Sequence, residues 1–201
     1  MKMVLRRILI VFGTVLVSGS LALAQMRGAE QPTPTSNNPE LNPDQQQRQQ
    51  NVAFGTMQDK DFVHSALQGG MAEVQLGQLA TQKGASDDVK QFGQKMVDDH
   101  TRLDGEMQQV AQQIGVSAPR GLSKKDKALV GKLQSLSGAE FDDAYIEAMV
   151  KDHKNDLMDF RQEVANSQNP TVKQAAQQGQ QMIDEHLQLI DQIAKAHNLK
   201  D

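Results

Sequence analysis

Three histidines close copies of one pentapeptide, Met-(Val/Ile)-x-(Asp/Glu)-His: MVDDH at 96–100, MVKDH at 149–153 and MIDEH at 182–186. Imidazoles, carboxylates and thioethers are side chains that bind metals or move protons, so the pattern raises a chemical question. On a helix, residues four apart share a face, which puts Met96, Met149 and Met182 on the faces of His100, His153 and His186. The acid before each histidine, Asp99, Asp152 or Glu185, is turned about 100° away. The histidine faces also carry Phe92, Leu103, Tyr145, Leu157 and Ile190, so all three imidazoles are expected to point into a core.

The apolar period from Asp59 onward is helical. Helix one is expected over 59–84, with Phe62, Ala66, Gly69, Gly70, Glu73, Gly77 and Ala80 on a face of mostly small residues. Ser86 is expected to cap helix two, whose stripe runs from Val89 to Ile114 and stops at Gly115. Ser123 opens a short helix closed by Gly138, helix three follows over 139–167, and Pro170 starts helix four. The connections within each of the pairs one–two and three–four are short, so each pair is a hairpin. Between helices two and three lies a long crossover containing the short helix. One long crossover between two hairpins predicts an all-α, ferritin-like four-helix bundle over residues 59–198. The motif spacings of 53 and then 33 residues exclude a solenoid.

His100, His153, His186 and Glu73 each fall near the midpoint of their expected helices. Midpoints of similar-length helices meet whichever way the helices run, which predicts one polar layer at mid-height. The first expectation for that layer is structural, with imidazoles hydrogen-bonding Asp99, Asp152, Glu185 or Glu73 across helices. The alternative is a site for a divalent metal or copper on Glu73, His100, His153 and His186. A third reading, catalysis, lacks a visible nucleophile or a second convergent acid. Met182 should lie on the opposite side of the layer from Met96 and Met149, which argues against a three-thioether cluster. Tyr145 is two turns from His153 on the same face and could reach the layer's edge.

The first 24 residues read differently. Lys2, Arg6 and Arg7 form a positive head, Ile8 to Val17 is nearly unbroken apolar chain, and Ala22-Leu23-Ala24 offers an A-x-A end. This is the pattern of a secretory signal cut after Ala24, with an uncleaved membrane anchor as the alternative. Arg6-Arg7 also fits a twin-arginine signal. Removing the signal takes the net charge from −4 to −7. Residues 25–58, with four prolines and a glutamine run, are expected to be a disordered linker. Without cysteine there is no disulfide, thiolate site or lipidated cysteine. The acidic balance excludes a basic footprint for nucleic acid. Membrane contact is expected only through the N-terminal segment if it stays uncleaved. A protein partner in the envelope is possible, and nothing in the sequence sets an oligomeric state.

DFVHSALQGGMAEVQLGQLA, SDDVKQFGQKMVDDH, GAEFDDAYIEAMVKDH and MIDEHLQLIDQIA together resemble the ferritin-like bacterial family called domain of unknown function 4142. The resemblance covers about residues 59–197 and implies an exported helical bundle, often described as periplasmic or outer-membrane, without an established activity. Di-iron ferritin-like proteins carry Glu-x-x-His on two helices, whereas the residues three before these histidines are Val97, Val150 and Ile183. That departure counts against a ferritin-type oxidase. The resulting expectation is a non-enzymatic envelope protein with a structural, stress or interaction role. A metal-binding or sequestering protein is the alternative, and a metalloenzyme at the same layer the weaker one.

Overall fold

The computed structural model describes residues 42–199, so the expected signal over 1–24 and the stretch 25–41 lie outside the described residues. Six helices follow in order: α1 Pro43–Phe54, α2 Met57–Lys83, α3 Asp87–Ile114, α4 Lys124–Gln134, α5 Gly138–Asn166 and α6 Pro170–Ala196. The four long helices of the sequence analysis are α2, α3, α5 and α6, and α4 is the short one in the crossover. The described residues are all-α.

α1 replaces part of what was expected to be linker. Asn42 and Gln45 form a reciprocal capping box, Pro43 sits at the first helical position, and glutamine is a good helix former. No α1 side chain is buried, but the Asn169 amide donates to the Val52 carbonyl and ties the helix end to the bundle. Gly55, at φ +72°, then turns the chain, and a second capping box between Thr56 and Asp59 starts α2 two residues earlier than expected.

Three long-range bonds set the helix directions. Asp142, near the start of α5, accepts from the backbone N–H groups of Ala85 and Ser86 at 2.9 and 2.8 Å, in the α2–α3 turn. Ser86 does hold the N-cap position, yet its hydroxyl makes no capping bond. At the other end, the Ser167 hydroxyl after α5 donates to Asp59 at the start of α2. The start of α5 therefore lies beside the start of α3, and its end beside the start of α2. α3 and α5 run one way, and α2 and α6 run the other. α2 packs on α3 and α5, α6 packs on α5 and α3, and like-directed helices stand diagonally. α4 climbs over α2 and α5, burying Leu133, with Lys125 paired to Asp152 at 2.8 Å and Lys83 bonded to the Gln134 carbonyl.

The α2–α3 hairpin is close because glycines face each other. A Cβ on Gly93 would stand 2.6 Å from Ala80 Cβ and 2.8 Å from the Gly77 carbonyl oxygen. Gly93→Ala should therefore cost about 1–3 kcal/mol by overpacking, despite the better helix propensity of alanine. Gly105→Ala in the same helix, where an added Cβ meets nothing within 4 Å, should stabilise by up to about 1 kcal/mol. Urea denaturation of the two variants tests the contrast, and equal stabilities would refute the close approach.

The core is split. One apolar cluster gathers Val63, Leu67, Leu103, Met107, Leu157, Phe160, Met182 and Ile183 around one half of the bundle. The other gathers Leu76, Ala80, Phe92, Met96, Tyr145, Ile146, Met149 and Ile190. Along each long helix, the polar residue between the two clusters is Glu73, His100, His153 or His186, all buried.

Candidate metal centre

α3, α5 and α6 each present one imidazole at this level because an apolar stripe of helical period carries the histidine in its middle. His153 and His186 are 0% exposed and His100 is 4% exposed. Ring centroids are 6.2 Å apart for His100–His153, and 5.5 Å for both His100–His186 and His153–His186. One nitrogen from each ring lies within 4.8 Å of the other two. Phe92 closes one side, with its ring 6.2 Å from His153 and 6.1 Å from His186 in edge-to-face geometry.

The hydrogen bonds define which nitrogens carry protons. His153 Nδ1 lies 2.9 Å from the Met149 carbonyl oxygen, which can only accept, so Nδ1–H donates and Nε2 keeps its lone pair. His186 Nε2 lies 2.9 Å from Asp99 Oδ2, so Nε2–H donates to the carboxylate and the bare nitrogen is Nδ1. Burial alone would raise the Asp99 carboxyl, but bonds from Lys95, His186 and Arg102 outweigh it and hold Asp99 well below the usual carboxylate range. The ionised acceptor thus fixes the His186 tautomer. His153 Nε2, His186 Nδ1 and both nitrogens of His100 have no hydrogen-bond partner among the described residues.

These rings are neutral. Burial, then the neighbouring imidazoles His153 and His186, push His100 far down from 6.5. Burial with His186 beside it pushes His153 down to about 3. Burial also lowers His186, against the opposing pull of Asp99. A neutral imidazole with its second nitrogen anchored to a carboxylate or backbone carbonyl is the form in which histidine ligates metal. Tetrahedral metal–nitrogen bonds of about 2.0–2.1 Å need nitrogens roughly 3.4 Å apart, so the rings must close in from the 4.8 Å limit to hold an ion.

The other candidate residues divide. Asp152 pairs with Lys125 of α4 instead of a histidine, and Glu185 is exposed, so neither supports the layer as expected. Only Asp99 does, and it serves the histidine of another helix. Glu73 is buried with Oε2 unpartnered, and it stands outside the 4.8 Å set formed by the histidines. Burial first, then Asp156, Asp152 and Asp126, raises its carboxyl well above 4.5, favouring the protonated acid. Tyr145 is fully buried, stacks on Phe141 at 5.8 Å and keeps an unpartnered hydroxyl, so it belongs to the core. Met96 and Met149 lie in one apolar cluster and Met182 in the other, so the three thioethers do not gather at the layer. His197 does not lie free on the surface: it bonds Asp88 at 3.1 Å and joins the end of α6 to the start of α3.

Sequence reading missed Asp156, which burial raises to about 7. It stands one turn beyond His153, at the i+3 spacing that shares a face, and that spacing was the available signal.

Residues 23–193 match the family described as Domain of unknown function (DUF4142). The chain belongs to the DUF4142 family. No curated protein matches the chain. Two crystal structures are similar to this DUF4142 protein. One is a DUF305 fragment from Deinococcus radiodurans, at TM-score 0.63 and 14% identity, covering 70% of this chain and 97% of that one. The second is a DUF305 protein from Streptomyces coelicolor, described as a candidate secreted protein, at TM-score 0.61 and 13% identity, covering 72% and 96%. At such identities the likeness is one of fold. The DUF4142 name carries no chemistry, so the site speaks through its own atoms.

Proposed function

We propose that this protein holds one transition-metal ion at His100, His153 and His186, as a non-enzymatic metal-binding protein of the cell envelope. The observation that carries this reading is the set of unpartnered, buried ring nitrogens on three converging neutral imidazoles. A layer built only for structure would satisfy those nitrogens, because each buried polar atom left without a partner costs about 1–3 kcal/mol. Asp99 and the Met149 carbonyl instead satisfy one nitrogen on each of two rings and leave the other bare. Three nitrogen donors suit Zn²⁺, Cu²⁺, Co²⁺, Ni²⁺ or Fe²⁺ better than oxygen-seeking Mg²⁺ or Ca²⁺. Burial of all three rings favours keeping an ion over turning over a substrate. An envelope location rests on the charged head, apolar run and A-x-A end of residues 1–24. Among the described residues no helix is long and apolar enough to cross a membrane.

Dialysis of metal-free protein against each ion, followed by elemental analysis, should find one ion per chain. Co²⁺ should give the intense visible absorption of a low-symmetry nitrogen site. His100→Leu should abolish both, and Asp99→Asn should weaken binding about 10–100-fold by freeing the His186 ring. Ion retention no greater than in His100→Leu would sink the proposal.

A further inference from the structure

A cleft of about 280 Å³ opens between α2 and α5, along the half of the bundle that α4 leaves uncovered. Asp61 and Asp159 lie at exposed positions on its two walls, Asp156 is half-buried, and Glu73 and His100 line its buried end. Five of its lining residues are Asp or Glu and none is Lys or Arg. On the α2 side the wall carries the small residues Ser65, Ala66, Gly69 and Gly70 between Phe62 and Glu73. At Gly69 an added Cβ would meet nothing within 4 Å. Two unpartnered groups mark the inner end: Glu73 Oε2, and both ring nitrogens of His100, on residues that are each 4% exposed. His153 and His186 do not line the cleft, and Phe92 covers them from the other apolar cluster.

We infer that this cleft is the route by which a hydrated divalent cation reaches the histidine triad, with Asp61, Asp159 and Asp156 drawing it in and Glu73 receiving it beside His100. The inference rests on the metal-holding reading and adds how the ion arrives. Carboxylates along a low-dielectric wall focus the field and raise cation on-rates by about 10–10³-fold. Glu73, which stands outside the 4.8 Å set of imidazoles, offers an oxygen on losing its proton, at the point where the ion exchanges water for imidazole.

A route changes rates in both directions and leaves the equilibrium alone, which separates it from the site itself. Co²⁺ association and dissociation should be followed by stopped-flow absorbance in the purified protein. Gly69→Phe fills the open space at the cleft wall, and it should slow association and dissociation by the same factor, about tenfold or more, at unchanged Kd. Gly105→Phe, on the exposed face of α3, should change neither rate. Asp61→Asn, Asp156→Asn and Asp159→Asn combined should slow association and flatten its dependence on ionic strength. Melting curves monitor folding, and replacing a mid-helix glycine favours the helix. Full-speed association in both the Gly69→Phe and the triple variant, with Co²⁺ still bound at wild-type affinity, overturns the route and leaves the metal site standing. Absence of Co²⁺ binding in the wild type overturns both.

Discussion

Saturating the metal-free protein with Zn²⁺ or Cu²⁺ is expected to raise its stability by about 4 kcal/mol at a free ion concentration a thousandfold above Kd. For a domain of this size that is a rise in Tm of about 8–16 °C. The physical reason is where the ligands come from. His100 stands on the α2–α3 hairpin, whereas His153 and His186 stand on the α5–α6 hairpin, so one ion joins the two halves of the bundle. In the unfolded chain the same histidines are 53 and 33 residues apart and bind poorly as a set. Calorimetry of the chelator-treated protein, before and after each metal is added, measures the shift. His100→Leu should melt close to the metal-free wild type and lose the response. A rise of the same size in that variant would place the stabilising ion elsewhere.

The second expectation concerns acid. The folded His153 titrates at about 3 against 6.5 for an unperturbed imidazole, because burial and His186 disfavour its charge. Above pH 6.5 neither folded nor unfolded chain protonates this ring, so its contribution is fully present. As pH falls from 6.5 toward 3, the unfolded chain takes a proton that the folded one refuses, and metal-free stability is lost at about 1.4 kcal/mol per pH unit. His153→Leu removes that loss. At pH 7.5 the variant should lie within about 1.5 kcal/mol of wild type, since leucine fills a similar volume and leaves no bare nitrogen. By pH 3 it should lead by about 5 kcal/mol more than it did at neutral pH. Urea denaturation across this range measures the difference directly, and the subtraction cancels carboxyls such as Asp99 that titrate in both proteins. Parallel curves for the two proteins would show that His153 is solvated in the folded state. His153→Ala serves as the contrast: it opens a cavity and should lose about 2–5 kcal/mol at neutral pH.

Much of the frame was legible because it depends on local rules. The 3.6-residue apolar stripes, Gly115, Asn169-Pro170 and the lengths of the connections mark four long helices and one crossover, and the bundle shows them. α1 was misread because composition was weighed above a local capping box, Asn42 with Gln45, that offsets the cost of starting a helix. The inward faces of the three histidines were also readable, since phase along one helix is a property of that helix alone.

Pairing across helices is a different kind of information. Asp99, Asp152 and Glu185 occupy the same motif position, yet one bonds His186, one meets Lys125 and one faces solvent. Each acid points about 100° away from its own histidine, so its partner is whichever element the tertiary fold puts there. The same holds for the cleft, which exists because Gly69 and its small neighbours face α5 where α4 does not cover the groove. By itself the sequence determined that three imidazoles and one carboxyl sit at mid-helix on buried faces. Only the tertiary structure decided that the imidazoles converge, that Glu73 stands apart from them, and that each ring keeps at least one nitrogen without a partner. Those facts depend on distances between chain segments dozens of residues apart, and no local periodicity encodes such distances.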